Sequence, residues 1–185
     1  RLLGERLRSG ERRIVLTREP GGSPFAEHLR AVILDAATPA HGALSETLLF
    51  YAARADHIAQ TIRPALAQGR WVISDRFSDS TRVYQGVAGH IAAADIAELE
   101  RMVIGNLWPD LTIVMDLDPE IGLARVESRR AAVAGQQARG RSDRPASRDP
   151  YESRDLEFHR HLREGFLAIA SAEPARCVVV DASRP

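Results

Sequence analysis

The chain has 185 residues, 44% of them hydrophobic, which is enough to bury a core and is most simply read as one domain. Basic and acidic residues balance at 25 against 25, which excludes a nucleic-acid or membrane partner held by bulk charge, so anion binding has to come from local clusters. No run reaches the ~18 apolar residues of a membrane span, and the single Cys177 excludes an intramolecular disulfide framework and fits a reducing, cytoplasmic setting as a buried thiol.

In chain order, residues 1–8 (Arg-Leu-Leu-Gly-Glu-Arg-Leu-Arg) are amphipathic and read as the second half of a helix that Ser9-Gly10 ends. A first strand is predicted over 13–17, and helices from 25 to about 35 and from 45 to about 68. Ser45-Glu46 is the expected start of the second helix, Pro64 an internal kink and Gly69 the stop. Further strands are expected over 70–75, 111–117 and 176–181. Helices are expected at about 93–104, 119 to about 130, and about 151–171. The strands are near-continuous β-branched runs, as in a parallel sheet covered on both faces. Strands alternating with helices predict a doubly wound α/β fold, with ligands at the carboxyl ends of the strands. Residues 131–148, rich in Ala, Gly, Gln, Arg and Ser, form the one low-order stretch.

The polar residues fall where that fold would use them. Arg18-Glu19-Pro20-Gly21-Gly22 follows the first strand. Its glycines allow close backbone approach, and Arg18 suits bidentate contact with phosphate, although the same run also reads as an ordinary turn. Asp75-Arg76-Phe77 closes the second strand, either as a buried structural pair or as a phosphate site in which Asp75 fixes Arg76 or a metal-bound water. Ser80, Thr81, Tyr84 and Gln85 share one helical face. Phe50 and Arg54, four residues apart, offer a stacking plate and a planar donor to a base, or else a core ring and a solvated arginine. Residues 125–148 hold seven arginines against Glu127 and Asp143, read as a disordered solvated loop or as a lid closing over phosphates. The histidines show no metal-ligand grouping.

Taken together, Arg-Glu-Pro-Gly-Gly (18–22), Leu-Phe-Tyr-Ala-Ala-Arg (49–54), Asp-Arg-Phe-x-x-Ser-Thr-x-x-Tyr-Gln-Gly (75–86) and Pro-Asp-Leu-Thr-Ile-Val-Met-Asp-Leu (109–117) resemble bacterial thymidylate kinases nearly end to end. The resemblance implies one nucleoside monophosphate kinase domain over 1–185, with a P-loop NTPase-like parallel sheet, helices on both faces and an arginine-rich lid over 131–148. It implies transfer from ATP, with Mg²⁺, to thymidine monophosphate for DNA precursor synthesis, in a cytoplasmic homodimer. By position, Phe50 matches the residue stacking on thymine, Arg54 the one bonding its carbonyl, and Ser80 and Thr81 the readers of its polar edge. Tyr84 matches the aromatic under the deoxyribose, with Gln85 at the pocket wall. Arg18 and Arg76 match acceptor-phosphate ligands, with Arg30 a third. Glu19 and Asp75 line the sugar and phosphate region, and Pro20 packs near the base. Arg129, Arg130, Arg141, Arg144 and Arg148 match the lid, and Glu152 an acid near the metal.

One departure is large. The family's Gly-x-x-x-x-Gly-Lys-[Ser/Thr] loop is absent from a sequence that contains no lysine. The expectation is that Arg1 lies within the helix following that loop, that the native protein extends upstream and beyond Pro185, and that this stretch alone is inactive. Two alternatives are another nucleotide kinase of the same fold, and a nucleotide-binding pseudokinase without a P-loop.

Overall fold

The computed structural model describes residues 2–8, 13–35, 37–137, 151 and 154–184. They fall into two compact units, Arg1–Trp108 and Pro109–Pro185.

In the first unit, helix α1 (Leu2–Arg8) precedes strand β1 (Ile14–Arg18). β1 pairs in parallel with β2 (Trp71–Asp75), in a register from Ile14 opposite Trp71 to Arg18 opposite Asp75. The ladder runs one step further, because Glu19 N–H donates to Asp75 O at 2.9 Å. Two sequence segments that carry charge therefore end level with one another. Helix α2 (Pro24–Leu34) begins on Pro24, whose fixed φ suits the first turn and whose missing N–H costs nothing there.

Helix α3 (Ala43–His57) begins two residues before the expected Ser45. It passes through a π-helical turn, Ile58–Ile62, into α4 (Arg63–Ala67). Pro64 explains this widening. A proline donates no hydrogen bond and its ring crowds the carbonyl four residues earlier, so the turn before it opens while the helix continues, as expected. Gly69, at φ 67°, then stops the helix, with Gly69 N–H bonded to Leu66 O (2.9 Å) and Arg70 N–H to Ala65 O (3.0 Å). That pair of bonds satisfies the last carbonyls of the helix.

After β2 come a short helix α5 (Ser78–Thr81), a second π-helical stretch (Arg82–Val87) and α6 (Ala93–Val103). Buried Ile58, Ile62 and Ile104 pack with Val72, Phe77, Leu107 and Trp108. Burying each isoleucine contributes about 1.5–3 kcal/mol.

The second unit pairs β3 (Thr112–Asp116) in parallel with β4 (Cys177–Asp181), Thr112 opposite Cys177. Helix α7 (Pro119–Gln137) runs beyond the expected end near 130, because its Ala, Arg, Glu and Gln residues favour helix. Helix α8 (Leu156–Ala172) starts later than expected because Asp155 caps it, accepting from Phe158 N–H at 2.8 Å. Cys177 is buried with Val114 and Ala170, as read from its apolar run.

Candidate active site

The carboxyl end of β1 turns directly into a buried loop, and the far half of α3 with the π-helical turn after it holds that loop residue by residue. Glu19, 5% exposed, accepts from Arg54 Nε through Oε2 (2.8 Å) and pairs through Oε1 with His57 Nδ1 (2.9 Å). Ser23 Oγ donates to Asp56 Oδ2 at 2.6 Å, and Thr61 Oγ1 donates to Gly22 O at 2.6 Å. Gly22, at φ 86°, is required twice: its backbone is left-handed, and a Cβ there would collide with Thr17 Oγ1 and His57 Nε2.

Arg54 is 1% exposed. Besides Glu19 it bonds Thr81 Oγ1 through Nη2 at 3.0 Å, and its guanidinium carbon lies 4.8 Å from the Tyr51 ring centre and 5.3 Å from that of Phe77. Phe50, expected as the stacking plate for a base, is half-buried on α3, and the rings against the Arg54 guanidinium are Tyr51 and Phe77. A charge so deeply buried is tolerable only when paired and hydrogen-bonded. Two of its three nitrogens meet that condition. Arg54 Nη1 does not: among the described residues it is a buried donor with no acceptor. An uncompensated buried donor held on a fixed fork is what a site uses to read a ligand carbonyl.

Arg76 follows the end of β2 and occupies a left-handed conformation at φ 70°, an arrangement that costs a non-glycine residue energy and occurs chiefly where function requires it. Its guanidinium sits 4.9 Å from the Tyr84 ring centre and donates through Nη2 to Tyr84 Oη at 3.1 Å. Asp75 beside it is exposed at the strand end. Arg18 is also exposed and donates to Glu27 Oε2 at 2.9 Å, while Gly22 N–H donates to Glu27 Oε1 at 2.9 Å. Partial burial pushes the Glu27 carboxyl up. The Gly22 N–H, the Arg18 bond and charge, and the charge of Arg30 outweigh it and hold the group below its ordinary value. Arg30 Nη1 donates to Pro20 O at 2.7 Å.

On the far wall, Thr81 and Gln85 are buried, with Gln85 Nε2 donating to Glu46 Oε1 at 2.9 Å, and Ser80 is partly buried. Behind them runs a second polar chain that the sequence did not reveal. Ser78 Oγ donates to Glu100 Oε1 (2.7 Å), Arg82 grips both Glu100 oxygens (2.7 and 2.8 Å), and Tyr51 Oη lies 3.3 Å from Ser78 Oγ. Burial pushes the Tyr51 phenol up, more than its bond to Ser78 and the nearby Arg54 lower it. Of the lid arginines, Arg129 and Arg130 stand exposed on α7, whereas Arg141, Arg144 and Arg148, with Glu152, lie outside the described residues. No described helix is long and apolar enough to cross a membrane.

Arginines at the carboxyl ends of parallel strands, beside a glycine-rich turn and a buried hydrogen-bonded cluster, define a nucleotide-handling α/β protein. Comparison with known proteins narrows the class. The family model described as thymidylate kinase matches residues 1–185. The chain is 50% identical over 184 residues to the thymidylate kinase of Rhodopseudomonas palustris, covering 99% of this chain and 74% of that protein. It is 47% identical to that of Nitrobacter winogradskyi (98% and 74% covered) and 46% to that of Caulobacter vibrioides (98% and 80%). Among solved structures, the thymidylate kinase of Ehrlichia chaffeensis superposes with a TM-score of 0.72 at 34% identity, covering 97% of this chain and 81% of that one. The chain belongs to the thymidylate kinase family. It is accordingly a kinase of nucleotide biosynthesis with a P-loop NTPase-like α/β fold.

Proposed function

We infer that this kinase transfers the γ-phosphoryl group of ATP to thymidine monophosphate, and that the acceptor occupies the pocket bounded by α3, the 19–22 loop and the 75–85 segment. The observation that carries this reading is Arg54 Nη1, a buried donor aimed from a guanidinium fixed by Glu19 and Thr81. A thymine carbonyl would supply the missing acceptor. Phe50 would stack on the base, Ser80 and Thr81 would meet its polar edge, and Tyr84 would underlie the deoxyribose, with Gln85 and Pro20 closing the walls.

The acceptor phosphate would then fall to Arg76 and Arg18, with Arg30 behind them. An oxygen of that phosphate attacks the γ-phosphorus in line and ADP leaves, without a covalent enzyme intermediate. The arginines hold the attacking oxygen in place and offset charge as it spreads over the transferring group. We assign the donor side to the arginine-rich segment that holds Arg129, Arg130, Arg141, Arg144 and Arg148, whose charges would offset those of the ATP phosphates. Mg²⁺, when bound, would offset the charge of the phosphates. It needs only one or two protein carboxylates, and Asp75, exposed at the end of β2, is a suitable donor; Glu152 is the second candidate.

We place the protein in the cytoplasm as a homodimer acting on nucleotides. The exposed Leu44 and Leu48, one turn apart on α3, support a partner surface there. A panel of thymidine monophosphate, guanosine and cytidine monophosphates and free thymidine, assayed for ADP release by the full-length enzyme, tests the substrate. Thymidine monophosphate should give the highest kcat/KM; a higher value for another member would contradict the reading.

A further inference from the structure

We propose that His57 is a positioning residue for acceptor-base recognition: it locks the Glu19 carboxylate that in turn aims Arg54. The inference rests on the reading of Arg54 given under Proposed function and adds the group that fixes it.

His57 is fully buried, and both ring nitrogens are engaged. Nδ1 lies 2.9 Å from Glu19 Oε1 and Nε2 lies 2.7 Å from Thr17 Oγ1. One tautomer of the ring satisfies both contacts: Nδ1–H donates to Glu19 Oε1, and the Thr17 hydroxyl donates to Nε2. Each member has one geometry open to it. Thr17 is in β1 and Arg54 is in α3, so the chain Thr17–His57–Glu19–Arg54 is anchored at both ends in regular structure. Gly22 leaves just enough room for the ring, since a Cβ there would strike His57 Nε2. Glu19 has two oxygens and gives one to Arg54 Nε and the other to His57. Without the histidine the carboxylate could turn about its last bond, and Arg54 Nε would lose the fixed partner that, together with Thr81, aims Nη1. Such second contacts are what holds a recognising group to within a fraction of an ångström.

The test uses the full-length enzyme with saturating ATP and two acceptors: thymidine monophosphate, and deoxycytidine monophosphate, which has an amino group where thymine has a carbonyl. The variants are His57→Leu, His57→Gln, His57→Asn and Arg54→Lys, each checked by thermal melting. Asparagine places its amide nitrogen near the position of Nδ1 and keeps the bond to Glu19. Glutamine reaches the position of Nε2 and loses it. His57→Leu and His57→Gln should raise KM for thymidine monophosphate about tenfold, change kcat much less, and lower the thymidine-to-cytidine ratio of kcat/KM toward that of Arg54→Lys. His57→Asn should stay near wild type. If His57→Leu fails to fold, His57→Gln against His57→Asn carries the same contrast. The inference is overturned if Arg54→Lys collapses the ratio while His57→Leu and His57→Gln keep wild-type KM and ratio, whatever their melting temperatures. A loss in His57→Asn as deep as in His57→Leu also overturns it, since the effect would then not run through Glu19. An unchanged ratio in Arg54→Lys would show that the base-edge reading itself is wrong.

Discussion

Arg54 Nε donates to Glu19 Oε2 at 2.8 Å, and neither side chain is more than 4% exposed. A pair this deep is neutral as a whole but costly when divided. Glu19→Ala would leave a buried guanidinium with Thr81 as its remaining hydrogen-bond partner. Stability should fall by about 3–5 kcal/mol. Urea denaturation measures it, and a loss below about 1 kcal/mol would mean that the pair is not buried as described.

Two glycines make opposite predictions. Gly22→Ala forces a side chain onto a backbone at φ 86° and into Thr17 and His57, and should destabilise by roughly 1–3 kcal/mol. Gly122 lies within α7 and a Cβ there meets only ordinary contact with Leu117, so Gly122→Ala should stabilise by about 0.5–1 kcal/mol. Denaturant midpoints of the two variants should move in opposite directions.

Arg76 is exposed, so its removal should leave the fold intact. If it holds the acceptor phosphate, Arg76→Ala lowers kcat/KM by about 10²–10³. Arg76→Gly should be equally inactive but more stable than Arg76→Ala, by about 1 kcal/mol, because glycine accepts φ 70° without strain. Turnover within a few-fold of wild type in either variant would contradict the phosphate role.

Acid sensitivity has an identifiable contributor in Asp116. Arg163 Nε and Nη2 bond its two oxygens at 2.6 and 3.0 Å, and these bonds hold its carboxyl below the ordinary value against a smaller rise from burial. A carboxyl depressed in the folded state stabilises above its unfolded pKa, and that contribution is lost as pH falls through the folded value. Asp116→Asn should therefore be less stable than wild type at neutral pH, with the difference vanishing once the wild-type carboxyl is protonated. Denaturation midpoints at pH 7 and near pH 2 check this; a difference that persists in acid would assign the effect to packing.

The strands were legible because each is a β-branched run, and the observed bounds differ from the expected ones by about one residue. Pro64 and Gly69 announced the kink and the stop, because both act through their own backbone. The charged ends of the strands were legible for the same local reason. The partners of Arg54 were harder. Tyr51 and Phe50 lie three and four residues before it, and either spacing allows contact. The packing that chose Tyr51 also brought in Phe77, 23 positions away in sequence and adjacent only after folding. His57 has a local signal, since it falls three residues after Arg54 on the same helix. Glu100 offered none: its bonds to Ser78 and Arg82 exist only once α6 has folded back.

The most direct test of the account is a crystal structure of the full-length enzyme with thymidine monophosphate bound. A thymine carbonyl oxygen should lie about 2.7–3.2 Å from Arg54 Nη1, with the phosphate at Arg76 and Arg18. A base bound elsewhere, leaving Arg54 Nη1 without an acceptor, would contradict it.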